Sequence, residues 1–194
     1  MDTKERIILA GEELFSQRGY DATSVSLICE RAGVSKGAFF HYFSSKEEFF
    51  LEILDRWLSD LSQKIESYFK EQDKVINGLL RTTIIFEDIF KESKEKFYLF
   101  LEFLRKGISD ERILKKLGDY FKRYKEYFSL LIERGKREGS FKDIDSEVLS
   151  SLIISYSIGI ILQQIFDKDS DWGRISREGV NLIISSIKKE DSKL

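Results

Sequence analysis

The side chains best suited to chemistry cluster between Thr23 and Lys46, in TSVSLICERAGVSKGAFFHYFSSK. Lys36 carries an ammonium that can donate to guanine O6 and N7. Thr23, Ser24, Ser35, Tyr42 and Lys46 offer hydroxyls and one charge suited to phosphate oxygens, and Gly37 lets a backbone approach a groove closely. Phe40 fits a thymine methyl, with packing against Phe39 and Phe43 as the competing reading, and His41 fits a phosphate or a base. From Arg31 to Lys46 there are basic Arg31, Lys36 and Lys46 and no acid, although residues 1–30 are acid-rich. This inventory suits contact with duplex DNA better than bond-making. The chain has a single histidine, His41, and a single cysteine, Cys29, so no His/Cys metal cluster or further Cys-His pair is available. No P-loop or G-x-G-x-x-G occurs. The expectation is a protein that is not an enzyme and has no cofactor or metal.

Local patterning predicts the elements that hold these residues. Val25, Ile28, Cys29 and Ala32 recur at the spacing of one buried helix face. Thr23 and Ser24 can cap that helix, Gly33 can make the sharp turn after it, and Ser35 can cap a second helix that buries Phe39 and Phe43. Helix, glycine-containing turn and helix make a helix-turn-helix. The pair is too small to stand alone, so a third helix must cover it. Asp2 with Glu5 offers a capping box, Ile7, Ala10, Gly11, Leu14 and Phe15 form an inner stripe, and Gly19 ends the helix. Residues 1–45 are therefore expected to be a helix-turn-helix DNA-binding head.

In register across glycine, aromatic and hydroxyl positions, the chain resembles the tetracycline-repressor-like (TetR) family of transcriptional regulators. The matching residues, between about Ile7 and Phe50, are Gly19-Tyr20, Thr23-Ser24, Ala32-Gly33-Val34-Ser35, Lys36-Gly37, Tyr42-Phe43 and Lys46-Glu47. One departure is Phe40, where the family often has tyrosine, so a hydroxyl contact with DNA is lost there. The resemblance implies repression of transcription, an effector cavity in the body, and pairing of the last two helices across a two-fold axis into a four-helix bundle.

Composition frames the remainder. The 194 residues contain no proline, 42% are hydrophobic, and Lys+Arg 32 against Asp+Glu 34 leaves a net charge of −2. An all-α chain with a real core is the natural reading, and DNA affinity must come from local placement of charge. The lone Cys29 excludes an internal disulfide and fits a reducing, cytoplasmic setting; its place on a packed helix face marks it as a small hydrophobe. Met1 leads directly into a charged helix, so no signal peptide is expected. Val148 to Phe166 carries no charge over 19 residues. Its serines and glutamines argue for a buried helix rather than a membrane span of about 20 apolar residues.

Residues 46–194 are expected to form a helical effector-binding and dimerisation body. A helix capped by Ser45 and Glu48 runs to about Lys70, followed by helices over Val75–Phe90, Phe97–Leu104, a long one from Ser109 to Gly139, the uncharged one capped by Asp145, and a last one over Trp172–Lys189. Trp57, Phe86, Phe90, Phe100, Phe103, Tyr124 and Phe128 lie on stripes that should converge, as core or as the wall of an apolar cavity. Glu102 either faces that cavity, favouring a cationic ligand, or is surface-exposed or ion-paired. Ser151, Ser155 and Gly159 recur every four residues and, with Ile183 and Ile187, are expected to form a homodimer interface. The reading is a homodimeric repressor released from a palindromic operator in double-stranded DNA by a small apolar or amphipathic effector. Two alternatives compete: a helical ligand carrier or signalling adaptor whose head binds protein, which predicts no salt-dependent duplex binding, and a DNA binder whose body is a filled scaffold, which predicts no ligand-induced stabilisation.

Overall fold

The structure, a computed structural model, describes residues 1–70, 72–82 and 94–189. Among them the chain is all helical apart from turns and one antiparallel bridge, between Phe141 and Lys188. The helices are α1 (Thr3–Arg18), α2 (Val25–Ala32), α3 (Lys36–Tyr42), α4 (Lys46–Glu66), α5 (described over 75–82), α6 (Lys94–Gly107), α7 (Glu111–Arg137), α8 (Ser146–Phe166) and α9 (Trp172–Ile187). Two compact units result: Met1–Ser62 with Ile89–Gly118, and Gln63–Asp88 with Asp119–Leu194.

The first unit holds the three-helix head, and its caps follow the sequence signals. The Asp2 carboxylate accepts from Glu5 N at 2.8 Å, Ser24 Oγ from Leu27 N at 3.2 Å, and Ser35 Oγ from Ala38 N at 3.1 Å. Glu5 does not close the capping box, because Arg56 on α4 takes its carboxylate at 2.6 and 2.7 Å. Gly33 sits in the left-handed region at φ 63°, which lets α2 stop and α3 turn away. Packed side chains hold the helices together: Phe15 on Phe50, Phe39 on Phe49, and Phe50 on Phe103, with ring centroids 4.8–5.2 Å apart. Gly11 allows that closeness, since a Cβ there would overlap the Phe49 ring.

In the second unit, α4 ends four residues earlier than its apolar spacing predicts. Tyr68 N and Phe69 N bond three residues back, to Ile65 O and Glu66 O. This tightened turn carries the Phe69 ring over Gly78, where a Cβ would collide with it. The α7 helix meets α8 through Ser129 Oγ and Ser150 Oγ at 3.0 Å, and α8 meets α9 through Tyr156, whose hydroxyl donates to Ile175 O at 3.0 Å and lies over Gly179. The α8 helix, uncharged from Val148 onward, is not the buried helix its composition predicts. Only 22% of its apolar window is buried, and Val148, Leu152, Ser155, Gln163 and Phe166 are exposed.

Candidate nucleic-acid interface

The short α3 presents one face to the core and the rest to solvent. Phe39 is fully buried, and Phe43, just past the helix, is buried beside it. Lys36, Gly37, Phe40, His41 and Tyr42 are exposed, with Phe40 at 52% and Tyr42 at 42%. No acidic residue lies on α3. Ser35 and Ser24 are exposed, each with its hydroxyl capping the helix that follows. The face thus combines a cation, a bare backbone, two aromatic rings and an imidazole on a helix narrow enough to enter a major groove.

Two expected phosphate contacts are corrected. Thr23 is completely buried, and its hydroxyl donates to Gly19 O at 2.8 Å and Leu14 O at 3.3 Å, so it ties α1 to the turn and has no outward oxygen. Lys46 also points inward. Its ammonium donates to Tyr20 O and Thr23 O, both at 3.0 Å, and lies 4.0 Å from the centroid of the Tyr20 ring.

The same turn is gripped by α6, a feature that pattern reading missed. Glu102 is buried, and its carboxylate accepts from Tyr20 N at 2.6 Å and from Arg105 at 2.6 and 2.8 Å. Arg105 also donates to Asp21 at 2.8 Å, while the Lys106 ammonium lies 4.5 Å from the Tyr20 ring centroid and donates to Asp21 at 3.2 Å. Burial pushes the Glu102 carboxyl up, but the Arg105 guanidinium and the Tyr20 N–H outweigh it and hold the group below the usual glutamate range. Glu102 is therefore ion-paired, and the cation-facing alternative is overturned. The Arg-Lys pair three and four residues after the acid was the available signal; which loop it reaches is set by packing of α6 on α1. Arg6 works similarly, donating to Ala32 O at 2.6 Å and Gly33 O at 2.6 Å at the end of α2.

The aromatic residues expected to converge fall in both units. Trp57, Phe100 and Phe103 pack together in the first unit, Trp57 stacking on Phe100 at 5.3 Å. Tyr124 and Phe128 belong to the second unit, at 5.6 Å from each other. Phe86 and Phe90 lie outside the described residues. The clefts described lie elsewhere: one of about 300 Å³ beside Arg6, Leu9, Glu13 and Arg31, and one of about 20 Å³ beside Leu79, Tyr156 and Ile183. On the expected dimer face Ser155 is exposed, Ser151 and Ile183 are half-buried, and Gly159 has no packed neighbour, since a Cβ there would meet only Gln163 at 4.0 Å. Ile187 is corrected: it is 2% exposed and fills the core of its own unit.

Residues 7–53 match the family model described as bacterial regulatory proteins, tetR family. The chain is 25% identical over 162 residues to the HTH-type transcriptional regulator YhgD of Bacillus subtilis, covering 83% of each chain. Its fold matches a transcriptional regulator from Saccharomonospora viridis in complex with choline, with a TM-score of 0.83, 19% identity and 96% and 98% of the chains covered. It also matches FadR of Bacillus subtilis in complex with stearoyl-CoA, with a TM-score of 0.81, 20% identity and 94% and 98% covered. With a helix-turn-helix at the matched residues, an all-helical body and relatives that are themselves regulators, residues 7–53 are identified as a tetR-family helix-turn-helix, and the chain as a whole is similar to helix-turn-helix transcriptional regulators.

Proposed function

We propose that the protein is a homodimeric repressor whose residues 1–45 read one half of a palindromic operator, while residues 46–194 pair two copies and respond to a small apolar or amphipathic effector. The observation that carries DNA reading is the exposed, acid-free α3 surface of Lys36, Gly37, Phe40, His41 and Tyr42 backed by buried Phe39. Lys36 is assigned to a guanine edge and Ser24, Ser35 and Tyr42 to flanking phosphates, with His41 on a phosphate or base. Homodimer formation is supported by the uncovered stripe of α8, Val148, Leu152, Ser155, Gly159 and Gln163, joined by exposed Leu182 on α9. A second copy would cover this stripe and set the half-site spacing.

An effector role is supported by two structural neighbours being complexes with choline and with stearoyl-CoA. Effector binding would tilt α4, which is unbroken from Lys46 to Glu66, and alter the separation of the recognition helices. The ligand shifts that balance only by its differential affinity; moving 1:99 to 99:1 takes about 5.5 kcal/mol. The test is selection of bound sequences from random duplex DNA at two salt concentrations. Recovery of a palindrome supports the dimeric reader. Weak, salt-labile binding without sequence preference would instead favour a head that binds protein.

A further inference from the structure

Phe40 is an apolar ring placed where a DNA reader normally needs polar ones. It is 52% exposed, yet it is not loose: its ring stands edge-on to Phe39 at 5.3 Å and 84°. Phe39 is itself fully buried between Phe43 at 5.4 Å and Phe49 at 5.2 Å. The exposed half of the ring is therefore braced from behind by the core. Lys36 and Gly37 lie four and three residues earlier on the same helix, so all three share one patch of surface. Gly37 has only Ser35 Oγ near the place a Cβ would occupy, which keeps the patch beside Phe40 shallow.

A phenyl ring neither donates nor accepts an ordinary hydrogen bond. In the major groove, guanine, adenine and cytosine present polar atoms, and the apolar group is the C5-methyl of thymine. Covering a polar base edge with the ring would strip its water without replacing the hydrogen bond, which is penalised. Covering a methyl removes two apolar surfaces from water together and is favourable. We propose that Phe40 selects a thymine in each half-site by packing on its C5-methyl. The proposal rests on α3 being the recognition helix and adds to it the chemical group that is read.

Deoxyuridine differs from thymidine by that methyl alone, so the test leaves the protein intact. With the selected operator in hand, each thymine is replaced in turn, and then in symmetric pairs, and the Kd is measured by fluorescence anisotropy at constant salt. One thymine per half-site should matter, its replacement weakening binding by about fourfold, and the symmetric pair by about fifteenfold, the effect of losing one buried carbon per site. Phe40→Ala, checked for folding by thermal melting, should bind the two DNAs equally. The proposal is overturned if no replacement changes the Kd, or if Phe40→Ala retains the full penalty. Failure of the underlying reading looks different: Lys36→Ala and Phe40→Ala would both leave the Kd for the selected duplex unchanged.

Discussion

Lys36 and Lys46 are equivalent as sequence, each a lone cation beside a helix start, but the fold gives them different work. Lys36 is exposed on α3, while Lys46 is bound to the carbonyls of Tyr20 and Thr23. Lys36→Ala should therefore lower operator affinity by roughly 1 to 3 kcal/mol and spare binding to scrambled duplex. Lys46→Ala should lower the melting temperature, because two carbonyls lose their donor, and should weaken binding to both DNAs only as far as the turn between α1 and α2 loosens. Titrations on the two duplexes and a melt separate these outcomes; equal losses from both variants on every sequence would remove Lys36 from base reading. Glu102 belongs to the same scale. Its folded pKa lies below the ordinary value, so its charge contributes stability above about pH 4.3, and that contribution is lost as pH falls through the folded pKa. Glu102→Gln should be less stable than the parent in urea at pH 7, and the gap should close in acid. A gap that stayed constant from pH 7 to pH 3 would show that the charge is not its source.

At the level of elements, glycines that look alike in a helical pattern divide by what packs against them. Gly11 of α1 faces the Phe49 ring of α4, and a methyl there overlaps it. Gly118 of α7 is exposed, with nothing within 4 Å of the place a Cβ would occupy. Gly11→Ala should cost about 1 to 3 kcal/mol through overpacking, and Gly118→Ala should add about 0.5 to 1 kcal/mol by restricting the unfolded chain and favouring helix. Opposite shifts in the urea midpoints are the expected result. The three helices of the head were legible because each cap, Asp2, Ser24 and Ser35, acts within three residues of itself. The end of α4 was not legible, since Phe69 leaves the helix to meet Gly78, a partner nine residues on.

For the whole molecule, the decisive surface is the stripe of α8 that its own chain leaves open. Leu152→Glu should shift the proposed dimer toward monomer in sedimentation or light scattering and weaken operator binding, while leaving the helix content of the monomer intact. Ile187→Ala should do the reverse. Ile187 is buried in its own unit, so its truncation should destabilise the fold by about 2 to 5 kcal/mol without a specific effect on association. If Ile187→Ala dissociated a fully folded dimer, the assignment of this side chain to the core would be wrong.

By itself the sequence determined the all-helical class, the helix-turn-helix with its caps and glycine turn, and the exposed chemistry of Lys36, Gly37, Phe40, His41 and Tyr42. These follow from periodicity and from hydrogen bonds that close within one turn of chain. Tertiary structure alone decided which polar groups face inward. Thr23 and Lys46 read as phosphate ligands until the Gly19–Thr23 turn claimed them, and Glu102 stood between a cavity wall, the surface and an ion pair until α6 packed on α1 and brought it within 2.6 Å of Tyr20 N. It also decided that Ile187 is core and Ser155 is open surface, though both sit on apolar helices at regular spacing. The physical reason is the docking of helices. Lys46 and Glu102 find partners 23 to 82 residues away in the chain, and such pairings depend on how helices dock, which is set by the summed shape of many apolar contacts that no local pattern contains.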